Sequence, residues 1–75
     1  MAQTYDLKGQ GGIQVWSSLP EGVTLTLLNG ARGIVTANPK DGGYIMVKWI
    51  EHPNGDAKVG EEELVFFNEV ASASD

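Results

Sequence analysis

The chain has 75 residues, and its ten acidic and five basic residues give a formal net charge of −5. The absence of cysteine excludes disulfides and thiolate metal sites, and the negative charge disfavours nucleic acid and anionic membrane surfaces as partners. A single domain of this length buries only about 60% of its unfolded surface, so the core must be compact or shared with a partner.

The N-terminal segment 1–12 contains three glycines among polar residues and shows no periodicity, which predicts a flexible arm. It has no basic stretch followed by an apolar one, so we expect neither a secretion signal nor a membrane span. The expected location is therefore the cytoplasm, or a virion or other complex assembled there. Residues 13–16 alternate weakly, and we interpret them as an extra short strand.

Residues 23–28 alternate between apolar residues and threonines, which predicts a strand with one face in the core. Asn29-Gly30 follows, and this pair is typical of a type I′ hairpin turn because asparagine tolerates and glycine accepts a positive φ. A second strand is expected over 32–37. Turn-forming residues fill 38–43.

The longest β-favouring run is 44–50. Its alternation places Ile45, Val47 and Trp49 on one face, and Lys48 on the other indicates which face is wet. Beyond it we predict a turn at 53–55, a short strand at 56–59, a helical turn at 61–63 and a final strand that begins with the apolar run 64–67. The tail 71–75 has no apolar periodicity and is expected to be disordered.

Two short patterns in this region match a known family. Val23, Leu25, Gly30, Gly33 and Val35 give alternating apolar residues, a glycine and then a valine, and Val47, Trp49 and Glu63-Leu64 fit a third strand and a closing turn. Over about residues 22–70 the chain therefore resembles the SH3-like small barrels, in particular KOW and Tudor-type modules. The resemblance implies an all-β fold, a five-stranded and mostly antiparallel SH3-like barrel, which with the extra strand spans 13–70.

The resemblance also implies two functions. KOW modules generally contact RNA or the transcription and translation machinery, but the basic residues needed for phosphate binding are scattered here. They are Lys8, Arg32, Lys40, Lys48 and Lys58. Tudor-type barrels hold a methylated lysine or arginine in an aromatic cage beside an acid. The candidate rings are Trp16, Tyr44, Trp49, Phe66 and Phe67, with Glu51 or Asp41 as the carboxylate, although Trp49 and Phe66 fit the core better.

Catalysis and metal binding have little support. The serines lie in a turn and in the tail, and His52 is the only imidazole, so no nucleophile is paired with a base. The simpler interpretations are that His52 lies in a turn and that the acidic residues 61–63 are solvated. We therefore expect no enzyme activity, no cofactor and no metal site.

The clearest functional signal is a surplus of apolar residues. Ten fill a small interior: Val23, Leu25, Leu27, Val35, Ile45, Val47, Trp49, Val59, Leu64 and Phe66. Others fall outside that set and predict a protein-binding surface: Trp16, Ile34, Tyr44, Met46, Ile50, Val65 and Phe67. A competing interpretation is that Ile13, Val15 and Trp16 form a lid over this surface.

The sequence thus favours a non-catalytic protein-binding or assembly module. Its partner would be another protein or a second copy of the chain, within a virion, a decoration layer or a larger complex. A KOW-like nucleic-acid module and a Tudor-like reader of methylated residues remain the alternatives.

Overall fold

The computed structural model describes residues 4–8, 11–40, 43–55 and 58–74. In chain order the elements are β1 (Thr4–Tyr5), α1 (Gly12–Ser17), β2 (Thr24–Leu27), β3 (Arg32–Ala37), β4 (Tyr44–Glu51), β5 (Glu62–Phe66), a 3₁₀ turn (Phe67–Glu69) and β6 (Val70–Ser74). The strands form one antiparallel sheet in the order β1-β6-β2-β3-β4-β5. The predicted all-β class is confirmed. The described part of the chain has six strands rather than five, and its sheet ends at β1 and β5 instead of closing through hydrogen bonds.

The central meander follows the predicted periodicity. Leu25 and Leu27 of β2, Val35 of β3 and the predicted face of β4 are all buried, so these core assignments are confirmed. The β2–β3 turn differs from a two-residue type I′ turn, because Asn29 does not have a positive φ and Gly30 does, at +94°. The Gly30 N–H donates to the Leu27 carbonyl at 3.0 Å, and Leu27 N–H donates to Ala31 at 2.8 Å. The loop is therefore a three-residue loop that ends on a left-handed glycine.

Gly33 allows β3 and β4 to approach each other closely. It is paired with Trp49, and a Cβ at this position would lie 2.8 Å from Val47 Cγ2 and 3.2 Å from Trp49 Cε3. The register shifts beside it, between Arg32 and Gly33. A bulge of this kind bends the strand and increases its twist.

The N-terminal region is more ordered than predicted. Within the predicted arm, β1 pairs with β6, and Leu7 is buried in the core. The predicted strand at 13–16 is wrong, because these residues form α1. The Ser17 and Ser18 hydroxyls donate to the carbonyls four residues earlier, at 2.9 and 2.7 Å. The Asn38 amide donates to the carbonyl of Leu19 at 2.9 Å and so fixes the chain just beyond the helix.

The C-terminal region is a strand rather than a disordered tail. Within β6, Ala73 pairs with Leu25 and is 1% exposed. This strand inserts between β1 and β2, so it joins the N-terminal strand to the meander. The last residue, Asp75, lies outside the described residues.

The segment around β5 differs most from the sequence interpretation. The predicted helical turn at 61–63 is wrong, because β5 begins at Glu62. Lys58 and Val59 lie in a turn instead of the predicted strand 56–59, whose first two residues are outside the described part. Val65 pairs with Ile45 and is buried, so Leu64 and Phe66 point to the other side of the sheet. Leu64 and Phe66 are therefore exposed. Val59, in the turn before β5, is exposed as well, so none of these three predicted core residues lies in the core.

Candidate functional site

We call the side of the sheet opposite the core the outer face. Where it is formed by β3, β4 and β5, the exposed or half-buried side chains are mainly apolar. The apolar ones are Ile34, Tyr44, Met46, Ile50, Leu64 and Phe66, and we call this group the apolar half. Strand alternation places them together, because each lies next in sequence to a residue that faces the core.

Four of the seven predicted docking residues lie on this surface: Ile34, Tyr44, Met46 and Ile50. The placement of the other three is corrected. Val65 is buried in the core, and Phe67 is half-buried and packs against it. Trp16 is completely buried, and its ring lies 5.8 Å from that of Phe67, so it is neither a surface aromatic nor a lid on the outer face.

Sequence reasoning missed Leu64 and Phe66, which are 47% and 48% exposed. Residues 64–67 are all apolar, so alternation along this run cannot show which of them face the core. The pairing with β4 decides the orientation. Met46 lies opposite Leu64, and Tyr44 lies opposite Phe66 with ring centroids 6.3 Å apart at 61°. The two rings form an edge-to-face pair, a favourable aromatic geometry.

Charged side chains lie beside the apolar half and also within it. The Arg32 guanidinium donates to Glu51 Oε1 at 2.8 Å, and both side chains are substantially exposed. Lys48 lies on the same face between Met46 and Ile50, and the register places it opposite Ile34 on β3 and Glu62 on β5. These oppositely charged neighbours compensate one another, so they add little net field to the apolar surface.

The rest of the outer face has a different chemistry. On β1, β6 and β2 its residues are Thr4, Thr24, Thr26, Ser72 and Ser74, which we call the hydroxyl half. Thr26 is paired with Ser72, and Thr24 with Ser74. Hydroxyls in such positions hydrogen-bond to water, so this half needs no partner.

A cleft of about 410 Å³ lies between the β2–β3 turn and the middle of β5, where Glu63, Leu64 and Val65 line it. Trp49, His52, Glu63 and Glu69 are among its lining residues. The His52 ring lies 5.0 Å from that of Trp49 in an edge-to-face arrangement, and its Nδ1 accepts the Asn54 N–H at 3.1 Å. When His52 is neutral, its proton is therefore on Nε2. The buried Trp49 Nε1 has no partner within hydrogen-bond distance, but Glu63 lies near enough for the indole N–H to help Lys58 to lower the pKa of Glu63.

Glu63 lines this cleft and is paired with a basic side chain. Its hydrogen bond with the Lys58 ammonium, at 2.9 Å, is the main reason that the pKa of Glu63 lies below its ordinary value of 4.5. The same hydrogen bond raises the pKa of Lys58 above 10.5. Glu63 is thus charged and paired at neutral pH, which explains how an acid is tolerated on the core side of β5.

The structure does not gather the five predicted cage rings at one point. Trp16 contacts Phe67 inside the core, and Tyr44 contacts Phe66 on the outer face. Trp49 alone of the five lines the cleft. Of the two candidate carboxylates, Glu51 is paired with Arg32, and Asp41 lies outside the described residues. Among the residues that the structure describes, no group of three or more histidine and acidic side chains is placed to hold a metal ion.

Comparisons with known proteins add no identity: no family model, no curated protein and no solved structure matches this chain. In the described residues no helix is long and apolar enough to cross a membrane.

Proposed function

We propose that this chain is a non-catalytic protein-binding module that docks through the apolar half of its outer face. The observation that carries the proposal is the paired exposure on β4 and β5, where Met46 meets Leu64 and Tyr44 meets Phe66 with β5 at the sheet edge. A contiguous apolar surface beside an edge strand is costly in water and is typical of interaction sites. The partner would be another protein, as in a virion or a multi-subunit complex.

We also propose that the sheet is an SH3-like meander with one added N-terminal strand. Strands β2 to β5 are neighbours in chain order, a 3₁₀ turn follows β5, and β6 returns beside β2. This path supports the resemblance, although the turn before the last strand is Phe67–Glu69 and not Glu63-Leu64, which lie in β5. Bulges in β2–β6 and β3–β4 supply the bending that a small barrel needs.

Charge favours a protein partner over nucleic acid. Of the five basic residues, Arg32 and Lys58 are held in ion pairs with acids, and Lys48 faces Glu62. Phosphate binding requires basic groups that are clustered and free to replace counterions. The net charge of −5 further opposes association with a polyanion.

The proposal is tested with two matched lysine substitutions on the outer face. Met46→Lys places a charge in the apolar half, and Ser72→Lys places the same charge in the hydroxyl half. Each tagged variant is incubated with an extract of the native source, and the mass of the recovered complexes is measured by light scattering after size exclusion. We expect Met46→Lys to stay folded and lose the complex, and Ser72→Lys to keep it. Equal retention by both variants, or no complex with the wild type, would contradict the proposal.

A further inference from the structure

The outer edge of β5 presents backbone groups that no neighbouring strand uses. On one side of β5, Trp49 N–H donates to the Glu61 carbonyl at 3.0 Å, and Phe67 N–H donates to the Gly43 carbonyl at 3.4 Å. Residues of an antiparallel strand alternate between bonding to one side and to the other. The odd-numbered residues therefore bond toward β4, and Glu62, Leu64 and Phe66 direct their N–H and C=O groups outward.

The protection of this edge is incomplete. The Phe66 N–H donates to Glu69 Oε2 at 3.3 Å, which covers the last outward donor and confirms its direction. Nothing comparable covers the outward groups of Glu62 and Leu64 in the described residues. Edges are commonly protected by charges, prolines, bulges or covering segments. In β5 only one end carries acids, and the other end is apolar.

This uneven charge pattern fits a second copy of the same strand. In an antiparallel pair of copies, the register must be centred on a residue whose groups point outward. Centring on Glu62 would oppose two glutamates, and centring on Phe66 would meet the Glu69 side chain. Centring on Leu64 places Glu62 opposite Phe66 and Glu63 opposite Val65, so that no like charges face each other.

We propose that two copies of this chain associate as a twofold dimer by antiparallel pairing of their β5 edges about Leu64. Backbone hydrogen bonds then join the two Leu64 residues, and each Glu62 N–H donates to the Phe66 carbonyl of the other copy. Such a contact is isologous and closed, as most homodimer interfaces are. The pairing joins the two sheets and places the two apolar halves side by side. It goes beyond the proposed function, because it uses the edge of the sheet rather than its outer face.

Single cysteines test the register, because the chain has none of its own. Two Leu64→Cys copies would face each other at about 5.5 Å between Cα atoms, within the range of a disulfide. The matched control is Glu62→Cys, where an offset of four residues separates the two cysteines by about 14 Å. Under mild oxidation we expect Leu64→Cys to form covalent dimers at least about tenfold faster than Glu62→Cys. Equal rates in the two variants would overturn the register.

The mass of the protein in solution tests the association itself. We expect the wild type to approach twice the monomer mass as concentration rises, and Leu64→Pro to remain a folded monomer. Proline is tolerated at an edge position whose N–H faces outward, and it removes a hydrogen bond that the dimer needs. A wild type that stays monomeric at all concentrations, or a Leu64→Pro variant that still dimerises, would overturn the proposal. If Leu64→Pro does not fold, by circular dichroism, the comparison of cysteines decides alone.

Failure of the dimer can be told from failure of the proposed function. Met46→Lys lies on the face and leaves the edge intact, so in the Leu64→Cys background it should not slow dimer formation. A monomeric wild type whose partner complex depends on Met46 would refute the dimer and keep the proposed function. A dimeric wild type whose partner complex survives Met46→Lys would support the dimer and refute the proposed function.

Discussion

The two halves of the outer face share one sheet but solve the problem of exposure differently. The hydroxyl half uses threonine and serine, whose oxygens bond to water while threonine still suits a strand. The apolar half exposes large side chains whose burial is worth about 25 cal/mol for each Å² removed from water. A sheet whose outer face only had to be soluble could carry threonine and serine over the whole of that face. The contrast is therefore the main argument that the apolar half has a partner.

Both halves rest on a single core, since Trp49 lies behind the apolar half and Ala73 behind the hydroxyl half. We expect Trp49→Ala to cost about 3–5 kcal/mol of unfolding free energy, because it removes a ring that is 3% exposed. Urea unfolding measures the loss, and hydrogen exchange of the β6 amides shows whether it reaches the hydroxyl half. Loss of exchange protection in β4 and β5 alone would show that the two halves are stabilised separately. Trp49→Phe should change the same amides but lower the free energy of unfolding by less.

Two neighbouring residues test whether the hydroxyl half is an ordered surface. Ala73 faces the core and Ser72 faces water, so Ala73→Lys should destabilise the fold by more than about 2 kcal/mol, the penalty of burying a charge. Ser72→Lys, on the exposed side of β6, should change stability by no more than about 0.5 kcal/mol. Thermal unfolding of the two variants gives the comparison. Similar small effects at both positions would mean that this segment is not held in the sheet.

The central meander was predictable because its signals are local. The threonine alternation in β2 and the alternating face of β4 depend only on neighbours in sequence, and both are confirmed. The turn at 53–55 is confirmed as well, with Gly55 at a φ of +93°. Four of the seven residues predicted to bind a partner lie on the side of the sheet opposite the core, as predicted, for the same reason.

The remaining elements depend on contacts between distant parts of the chain. β6 consists largely of alanine and serine, which carry no strand signal, and it is held by its pairing with β1 and β2. The orientation of β5 is set by its register with β4, since residues 64–67 show no alternation. The position of Trp16 depends on α1, and α1 is fixed in part by Asn38, more than twenty residues later.

The smallest expected effect compares one side-chain pair from each half. A double-mutant cycle at Tyr44 and Phe66, measured by urea unfolding, should give a coupling of about 0.5–1 kcal/mol, because the rings already touch in the free chain. The matched cycle at Thr26 and Ser72 should give about 0.2 kcal/mol, the lower end for cross-strand pairs. A larger coupling in the aromatic pair means that the proposed docking surface is preorganised, so a partner need not meet the entropic cost of ordering it. Equal couplings would remove that advantage and leave only the exposed area of the apolar half as a reason for binding.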